Sequence, residues 1–271
     1  MKPIAVLSGD KRQDYICQYL SKTGYPAYMK STLDFNKDQY IICSTPIMKK
    51  GKYLNCDFYS SFPMDTFVSL LKPGQTVFGG SLPKNLMHVN DIRFVDVLND
   101  ENVVWNNSVL TAEGLVAYII QHTDFTINNA NILILGFGKC GINIARTLSA
   151  LSGKISVYDH TSIHLTQARA YGYEGIIYED LEKHMDKFDI IINTVPKEIF
   201  HEIHYCKMKN SCILFEIASA PYGLNKDFAL KHHLSLITCP GIPGATAPKS
   251  AGELIAKSII SYLERTEING S

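Results

Sequence analysis

Short apolar runs alternate with stretches of helical spacing along almost the whole chain, and this alternation is what predicts the fold. In the second half, runs at 131–136, 154–159, 175–177, 188–192, 211–215 and 234–238 have strand length. Ile132 to Leu135 is apolar on consecutive residues, as in a strand covered on both faces of a parallel sheet. The first half reads the same way. Ile4 to Ser8 predicts a strand, and Arg12 to Ser21 a helix with Tyr15, Ile16, Tyr19 and Leu20 on one face. Gln39 to Cys43 predicts the next strand, broken by Thr45-Pro46; Met64 to Leu71 predicts a helix, and Gln75 to Phe78 and Arg93 to Val97 two more strands. Asn107 to Phe125 predicts one long helix with a stripe of Val109, Leu110, Leu115, Val116, Ile119 and Ile120, opened by Asn107 or Ser108 as a cap. A last helix is expected from Pro248 to about Glu264.

Strand–helix alternation without long gaps predicts an α/β protein of two doubly wound α/β domains joined by long helices. The expected boundaries are an N-terminal substrate-side domain over 1–106, completed by the C-terminal helix 247–271, an interdomain helix over 107–127, and a Rossmann dinucleotide-binding domain over 128–246. In such a protein the substrate cleft is expected between the two domains.

The chemistry is clearest at Gly136-Phe137-Gly138-Lys139-Cys140-Gly141, which directly follows the apolar run ending at Leu135 and opens a helical pattern. Each glycine at this spacing has a mechanical task. Gly136 permits a tight strand-to-helix turn, Gly138 lets a pyrophosphate approach the backbone, and Gly141 lets helix and strand pack closely. The helix start then offers N–H groups and partial positive charge to phosphates. A second strand ends at Asp159, eighteen residues beyond Gly141, where a carboxylate accepts the ribose hydroxyls. An acid there repels a 2′-phosphate and leans toward NAD over NADP, with His160 beside it as a partial offset.

Composition narrows the partners. The 271 residues carry 26 Lys plus Arg against 26 Asp plus Glu, with no basic stripe, so neither nucleic acid nor an anionic membrane surface is expected as a partner. The apolar stretches are read as too interrupted to span a bilayer, and Met1 to Asp10 as too short for a signal peptide. Seven cysteines without paired spacing read as reduced thiols of a cytoplasmic protein. His201-Glu-Ile-His204-Tyr-Cys206 lacks the i, i+4 histidine pair of a zinc helix, and no metal is expected.

Seven short blocks, in order, carry a resemblance over essentially the whole chain. They are Gly9-Asp10-Lys11-Arg12-Gln13, Asn107-Ser108-Val-Leu-Thr111-Ala112-Glu113-Gly114, the glycine turn, Asn193-Thr194-Val195-Pro196, Ala218-Ser219 with Pro221 and Gly223, Pro240-Gly241-Ile242-Pro243-Gly244, and Ala247-Pro248-Lys249-Ser250-Ala251-Gly252. Together they resemble the family of dipicolinate synthase A subunits. That resemblance implies NAD(P)-dependent oxidation, with loss of water, of 4-hydroxy-tetrahydrodipicolinate to dipicolinate. It also implies a small dicarboxylate substrate, partnership with a flavoprotein-like B subunit, a homo-oligomer, and the cytoplasm of the mother cell in a sporulating bacterium. The family usually employs NADP. The interdomain helix is also similar to that of 2-hydroxyacid dehydrogenases. The chain departs from the family pattern at Leu110, Ala220 and Tyr222, where Pro, Arg and Gly are usual, and at Asp159-His160, where the family usually has no acid.

A pyridine-type diacid needs two anion sites beside the nicotinamide. Arg12 is the first candidate carboxylate anchor, against the plain reading of an exposed arginine in a helix first turn. Ser108 and Thr111 at the opening of the interdomain helix are candidates for the second carboxylate, against simple capping. Lys249 and Ser250 open the last helix, where a cation opposes the helix dipole and an anion would relieve it. Thr194, Val195 and Pro196 are expected along the adenosine and ribose, and Ser219 toward the nicotinamide. Glu113 and Lys249 are the candidates for proton removal, Glu113 provided that burial raises its pKa. Two other readings stay open: a dehydrogenase of another small amino or hydroxy acid, and a non-catalytic protein that binds NAD(P) as a sensor or partner.

Overall fold

Parallel strands form wherever the apolar runs fall, and in the computed structural model, which describes residues 2–89 and 91–269, they build two separate sheets. The chain divides into a first unit of Met1–Asn107 with Gly244–Ser271 and a second of Ser108–Pro243.

The first unit begins with β1 (Ile4–Leu7), α1 (Lys11–Lys22), β2 (Ala27–Lys30) and β3 (Tyr40–Ile42). A small hairpin of β4 (Met48–Lys49) and β5 (Tyr53–Leu54) follows, then α2 (Met64–Ser69), β6 (Thr76–Gly79) and β7 (Arg93–Asp96). The sheet order is β2-β1-β3-β6-β7, all parallel. Every residue of β1 is buried, as its unbroken apolar run requires. The sequence pattern predicts neither the edge strand β2 nor the hairpin. Tyr28 and Met29 of β2 are exposed, so that strand carries no clean alternation to read.

The long helix α3 spans Glu101–His122 and so starts six residues ahead of Asn107. Its cap is Asp100, whose Oδ1 accepts from the Asn102 N–H at 2.9 Å and whose Oδ2 accepts from Ser258 Oγ at 2.6 Å. The polar Asn106-Asn107-Ser108 stretch, expected at a helix opening, lies inside the helix instead. Helix interiors tolerate such residues when their side chains find partners: Asn106 Nδ2 donates to the Asn102 carbonyl and Ser108 Oγ accepts from Asn143. By length and composition α3 is also long and apolar enough to cross a membrane, contrary to the expectation of no such stretch. Its Ala112, Leu115 and Ile119 are instead packed in the protein core of the second unit.

That unit continues through β8 (Asn131–Leu135), α4 (Lys139–Ala150), β9 (Lys154–Tyr158), α5 (Ser162–Ala170), β10 (Glu174–Ile176) and α6 (Tyr178–His184). It then adds β11 (Ile190–Asn193), α7 (Glu202–Lys207), β12 (Ile213–Glu216), α8 (Lys226–Lys231) and β13 (Ser235–Thr238). The strand order is β10-β9-β8-β11-β12-β13, wholly parallel. Counted from β8 this is 3-2-1-4-5-6, the doubly wound order whose reversal lies between β8 and β11. Successive residues alternate between faces. Ile132, Ile134, Ile190 and Ile192 enter one core layer, and Leu133, Leu135, Ile191 and Leu214 the other. Each such side chain contributes about 1.5–3 kcal/mol on burial.

The chain then crosses α9 (Ile242–Thr246) and ends in α10 (Pro248–Asn269), which packs on α1 within the first unit. The approach is close. A Cβ at Gly252 would stand 2.7 Å from the Arg12 carbonyl oxygen and 2.9 Å from Tyr15 Cβ. The Ala-Pro-Lys-Ser-Ala-Gly block thus has a packing task here.

A buried carboxylate organises the loops at the end of β12. Glu216, 2% exposed, accepts from Asn193 Nδ2 at 2.8 Å and from the N–H groups of Ala218, Gly223 and Leu224 at 3.0, 2.9 and 2.7 Å. Asp189, in the turn before β11, similarly ties down the start of β8. It accepts from the Asn131 N–H at 2.7 Å and faces Lys209 Nζ at 2.5 Å.

Replacing Glu216 with Gln turns an acceptor end into an N–H₂ group facing N–H donors. It should cost about 1–3 kcal/mol in denaturant unfolding, and an unchanged midpoint would show that the loop is not held this way. For Asp189, burial alone would raise the carboxyl, but Lys209 and the Asn131 N–H outweigh it and hold it below the ordinary 3.8. A depressed carboxyl stabilises the folded chain fully above that value, and the contribution is lost as pH falls below it. Asp189→Asn should therefore unfold less steeply than the unmodified chain below about pH 4, followed by circular dichroism.

Candidate functional site

The strand-to-helix turn after β8 has the geometry that its glycines imply. Gly136 has φ +92°, a conformation that side chains rarely adopt. A Cβ there would also stand 2.5 Å from Thr194 Oγ1 and 2.6 Å from Val195 Cγ2. A Cβ at Gly141 would run into the Gly136 carbonyl oxygen, so only glycine lets α4 sit this close to the strand end. Gly138 is different. It is exposed, it forms the N-cap of α4 with no side-chain cap, and no atom lies within 4 Å of where its Cβ would be. The turn is tight on both flanks and open in the middle, in front of an N-terminus that attracts anions.

Between these glycines Phe137 is fully buried, its ring against Tyr171 and Tyr173. Lys139 and Cys140 are half-buried, and burial pushes the Cys140 thiol up, away from a reactive thiolate.

Asp159, just past the end of β9, closes the other side of the turn. It is 7% exposed, and its carboxylate accepts from the Phe137 N–H at 2.8 Å and the Thr161 N–H at 2.9 Å. Burial would raise this carboxyl; the two N–H groups, with His164, outweigh burial and hold it below the ordinary range. His164 Nδ1 lies 3.1 Å from Oδ2, and His160 Nδ1 lies 3.4 Å from Oδ1. The carboxylate thus fixes the turn and remains an ionised acceptor at its rim.

On the far side of the turn, Thr194 Oγ1 donates to the Leu135 carbonyl at 2.8 Å, and the backbone N–H of Thr194 does so at 3.0 Å. Val195 N–H is held by Asn193 Oδ1, and Pro196 is exposed. Ser219 is exposed in the loop that Glu216 anchors, and Gly223 brings that loop onto residues 193–197. The ends of β8, β9 and β11 therefore gather the glycine turn, Asp159, His160, Thr194 and Val195 into one place. Sequence reasoning assigns no role to Asn193, Glu216 or His164. A charged residue ending a strand buried on both faces is the available signal for Glu216. For His164 the signal is its helical spacing to His160, which reads equally as a solvated helix start; the bend between β9 and α5 returns it to Asp159.

The substrate-side candidates fare differently. Arg12 is buried and not the exposed first-turn arginine of the plain reading. Its guanidinium is already paired with Asp10, with Nη2 to Oδ2 at 2.6 Å and Nε to Oδ1 at 2.9 Å, and it also donates to the Thr45 carbonyl. Gly244 lies against the same group. Ser108 and Thr111 are buried in the interior of α3, so they cannot present the N–H groups of a helix start, as expected of them. Asn143 Nδ2 of α4 donates to Ser108 Oγ at 2.7 Å. Glu113 is exposed on the α3 surface near Arg146, so the burial on which its proposed chemistry depends is absent. Lys249 and Ser250 are exposed in the first turn of α10. His201 and His204 cap α7 reciprocally, and His204 is buried and stacked on Phe200 with ring centroids 5.1 Å apart.

Comparison with known proteins agrees with this geometry. Residues 107–231 match the family model of the S-adenosyl-L-homocysteine hydrolase NAD binding domain. The A subunit of dipicolinate synthase from Bacillus subtilis (strain 168) is 32% identical over 171 residues, which are 63% of this chain and 58% of that protein. The match therefore spans less than two thirds of that relative. The crystal structure of the dipicolinate synthase A subunit from Bacillus halodurans superposes with a TM-score of 0.85 at 25% identity, over 97% of each chain. Transhydrogenase from Sinorhizobium meliloti shares the fold, with a TM-score of 0.70 at 13% identity over 98% of this chain and 94% of that one. The chain is thus similar in sequence and fold to the dipicolinate synthase A subunit, and its second unit is a Rossmann-type domain matched by an NAD binding domain family.

Proposed function

We propose that this chain is the nicotinamide-binding component of a dipicolinate-forming enzyme. In this reading 4-hydroxy-tetrahydrodipicolinate loses one water, and then two hydrogens as a hydride and a proton, to give dipicolinate. The observation that carries the nucleotide part is the open space at Gly138, before an uncapped helix start and beside the ionised Asp159. A pyrophosphate fits the first, and ribose hydroxyls fit the second. When bound, the nicotinamide supplies the hydride acceptor.

The chain's own residues bind and orient. Gly138 and the first turn of α4 hold the pyrophosphate, Asp159 takes the adenosine ribose and favours NAD, and Thr194, Val195 and Pro196 line the nucleotide. Ser219, in the loop braced by Glu216, is assigned to the nicotinamide end. On the substrate side, the reading keeps Arg12 and Ser250 as carboxylate contacts and Lys249 as the proton acceptor. Ser108 and Thr111 act instead by holding α3 in place, since both are buried within it. Glu113 is assigned no proton transfer. A flavoprotein-like partner, the B subunit, completes the proposal together with the mother-cell cytoplasm. That part rests on the likeness to the dipicolinate synthase A subunit.

The deciding experiment mixes the chain with freshly generated hydroxytetrahydrodipicolinate and NAD or NADP, with and without the B subunit, and follows reduced nicotinamide and dipicolinate together. Coupled appearance of both is expected; nucleotide binding with neither product, even when the partner is present, would sink the synthase reading. Gly138→Asp places a carboxylate at the pyrophosphate position and should weaken nucleotide binding about 100-fold or more. Because φ there is −78° and the space is open, its circular dichroism should match that of the unmodified chain. Asp159→Asn should weaken NAD about tenfold or more and narrow the gap between NAD and NADP. Unchanged affinity for either variant would move the site elsewhere.

A further inference from the structure

Asp159 lies between two imidazoles. His164 Nδ1 is 3.1 Å from Oδ2 and has no other hydrogen-bond partner among the described residues. Its side chain is 37% exposed, so solvent protons reach it. His160 Nδ1 is 3.4 Å from Oδ1, and that side chain is almost fully exposed. Both histidines face the carboxylate that would meet the adenosine ribose, the position where NAD and NADP differ.

We propose that His164, assisted by His160, makes the nucleotide preference of this site depend on pH. With both imidazoles neutral, the carboxylate accepts ribose hydroxyls and repels a 2′-phosphate. With both protonated, the local charge changes from one negative to one positive, and the 2′-phosphate of NADP becomes acceptable. This inference rests on the reading of Gly138 and Asp159 as the dinucleotide site.

The surrounding groups leave the two histidines as the charges that change. Asp159 itself stays ionised through the range in which histidine titrates, about pH 5 to 8, because its N–H partners favour the charged form. From α6, Tyr178 and Glu179 face Tyr158, the neighbour of Asp159, and add one fixed negative charge; burial pushes the Tyr158 phenol up, so it remains neutral. Lys139 opens α4 across the turn. His164 is in the first turn of α5, with its ring nitrogen against Asp159.

The test measures Kd for NAD and for NADP by titration calorimetry on the full chain near pH 6 and near pH 8, at constant ionic strength. The affinity ratio of NAD to NADP should fall about fivefold from the higher pH to the lower. In His160→Gln/His164→Gln the fall should be clearly smaller, limited to what the 2′-phosphate's own protonation contributes. The 2′-phosphate titrates near pH 6 itself, but its protonation lowers its charge in every variant alike, and the comparison with the double variant removes it. His160→Gln alone, at an exposed position, should reduce the slope and guards against misfolding of the double variant.

A ratio that does not change with pH in the unmodified chain, or that changes equally in the double variant, would overturn the proposal. Failure of both nucleotides to bind at either pH would overturn the dinucleotide reading instead, so the two failures are distinguishable.

Discussion

Helix α4 approaches the end of β8 so closely that a methyl group at residue 141 would meet the carbonyl oxygen of Gly136. Everything around the nucleotide site follows from that approach. It forces Gly136 into a left-handed turn, which in turn draws Thr194 and Val195 over the turn from β11. It directs the Phe137 N–H outward to Asp159, which fastens β9 to the same turn. Three strand ends are locked together by contacts that tolerate no added atom, and the opening left among these glycines is at Gly138. Rigid elements with a gap of this kind suit a site that must hold a ligand to within a fraction of an ångström.

The neighbouring loops are held by a different device. Glu216 gathers side-chain and backbone N–H groups from β11 and from the loop after β12. An acceptor surrounded by N–H groups is directional in a way that packing is not, and it fixes the loop carrying Ser219 in one conformation. Arg12 and Asp10 do comparable work in the first unit. The guanidinium holds the first turn of α1 to the loop after β3 and lies against Gly244.

How much of this is legible in the sequence depends on the range of the interactions. The buried strands and the glycine turn are readable because each follows from local composition and spacing: an apolar run of strand length, and glycines where no side chain fits. The pattern misplaces the start of α3 because Asn106-Asn107-Ser108 resembles a cap, and only tertiary partners such as Asn143 make those residues acceptable inside a helix. Strand β2 is invisible because an exposed edge strand needs no apolar alternation. Glu113, Ser108 and Thr111 show the limit for site residues. Residue type suggests a chemistry, but burial and a prior partner decide whether the group is available for it, and neither is encoded at the position itself. His164 illustrates the reverse, a residue marked locally only by its helical spacing to His160 that the bend after β9 carries to Asp159.

The first unit is written in two separate stretches of chain, with the whole second unit between them. Its closing helix α10, seated on α1 through Gly252, is therefore synthesised after every strand of both units. During translation the nucleotide-binding unit has all of its strands before the first unit has its final helix. Ile4, Val6, Ile16 and Leu20, which share a core with Ile255, Ala256 and Ile259, stay partly uncovered until then. A nascent chain of this design completes the sheet of its second unit first and its N-terminal core last, so that apolar surface stays open to other contacts until α10 emerges.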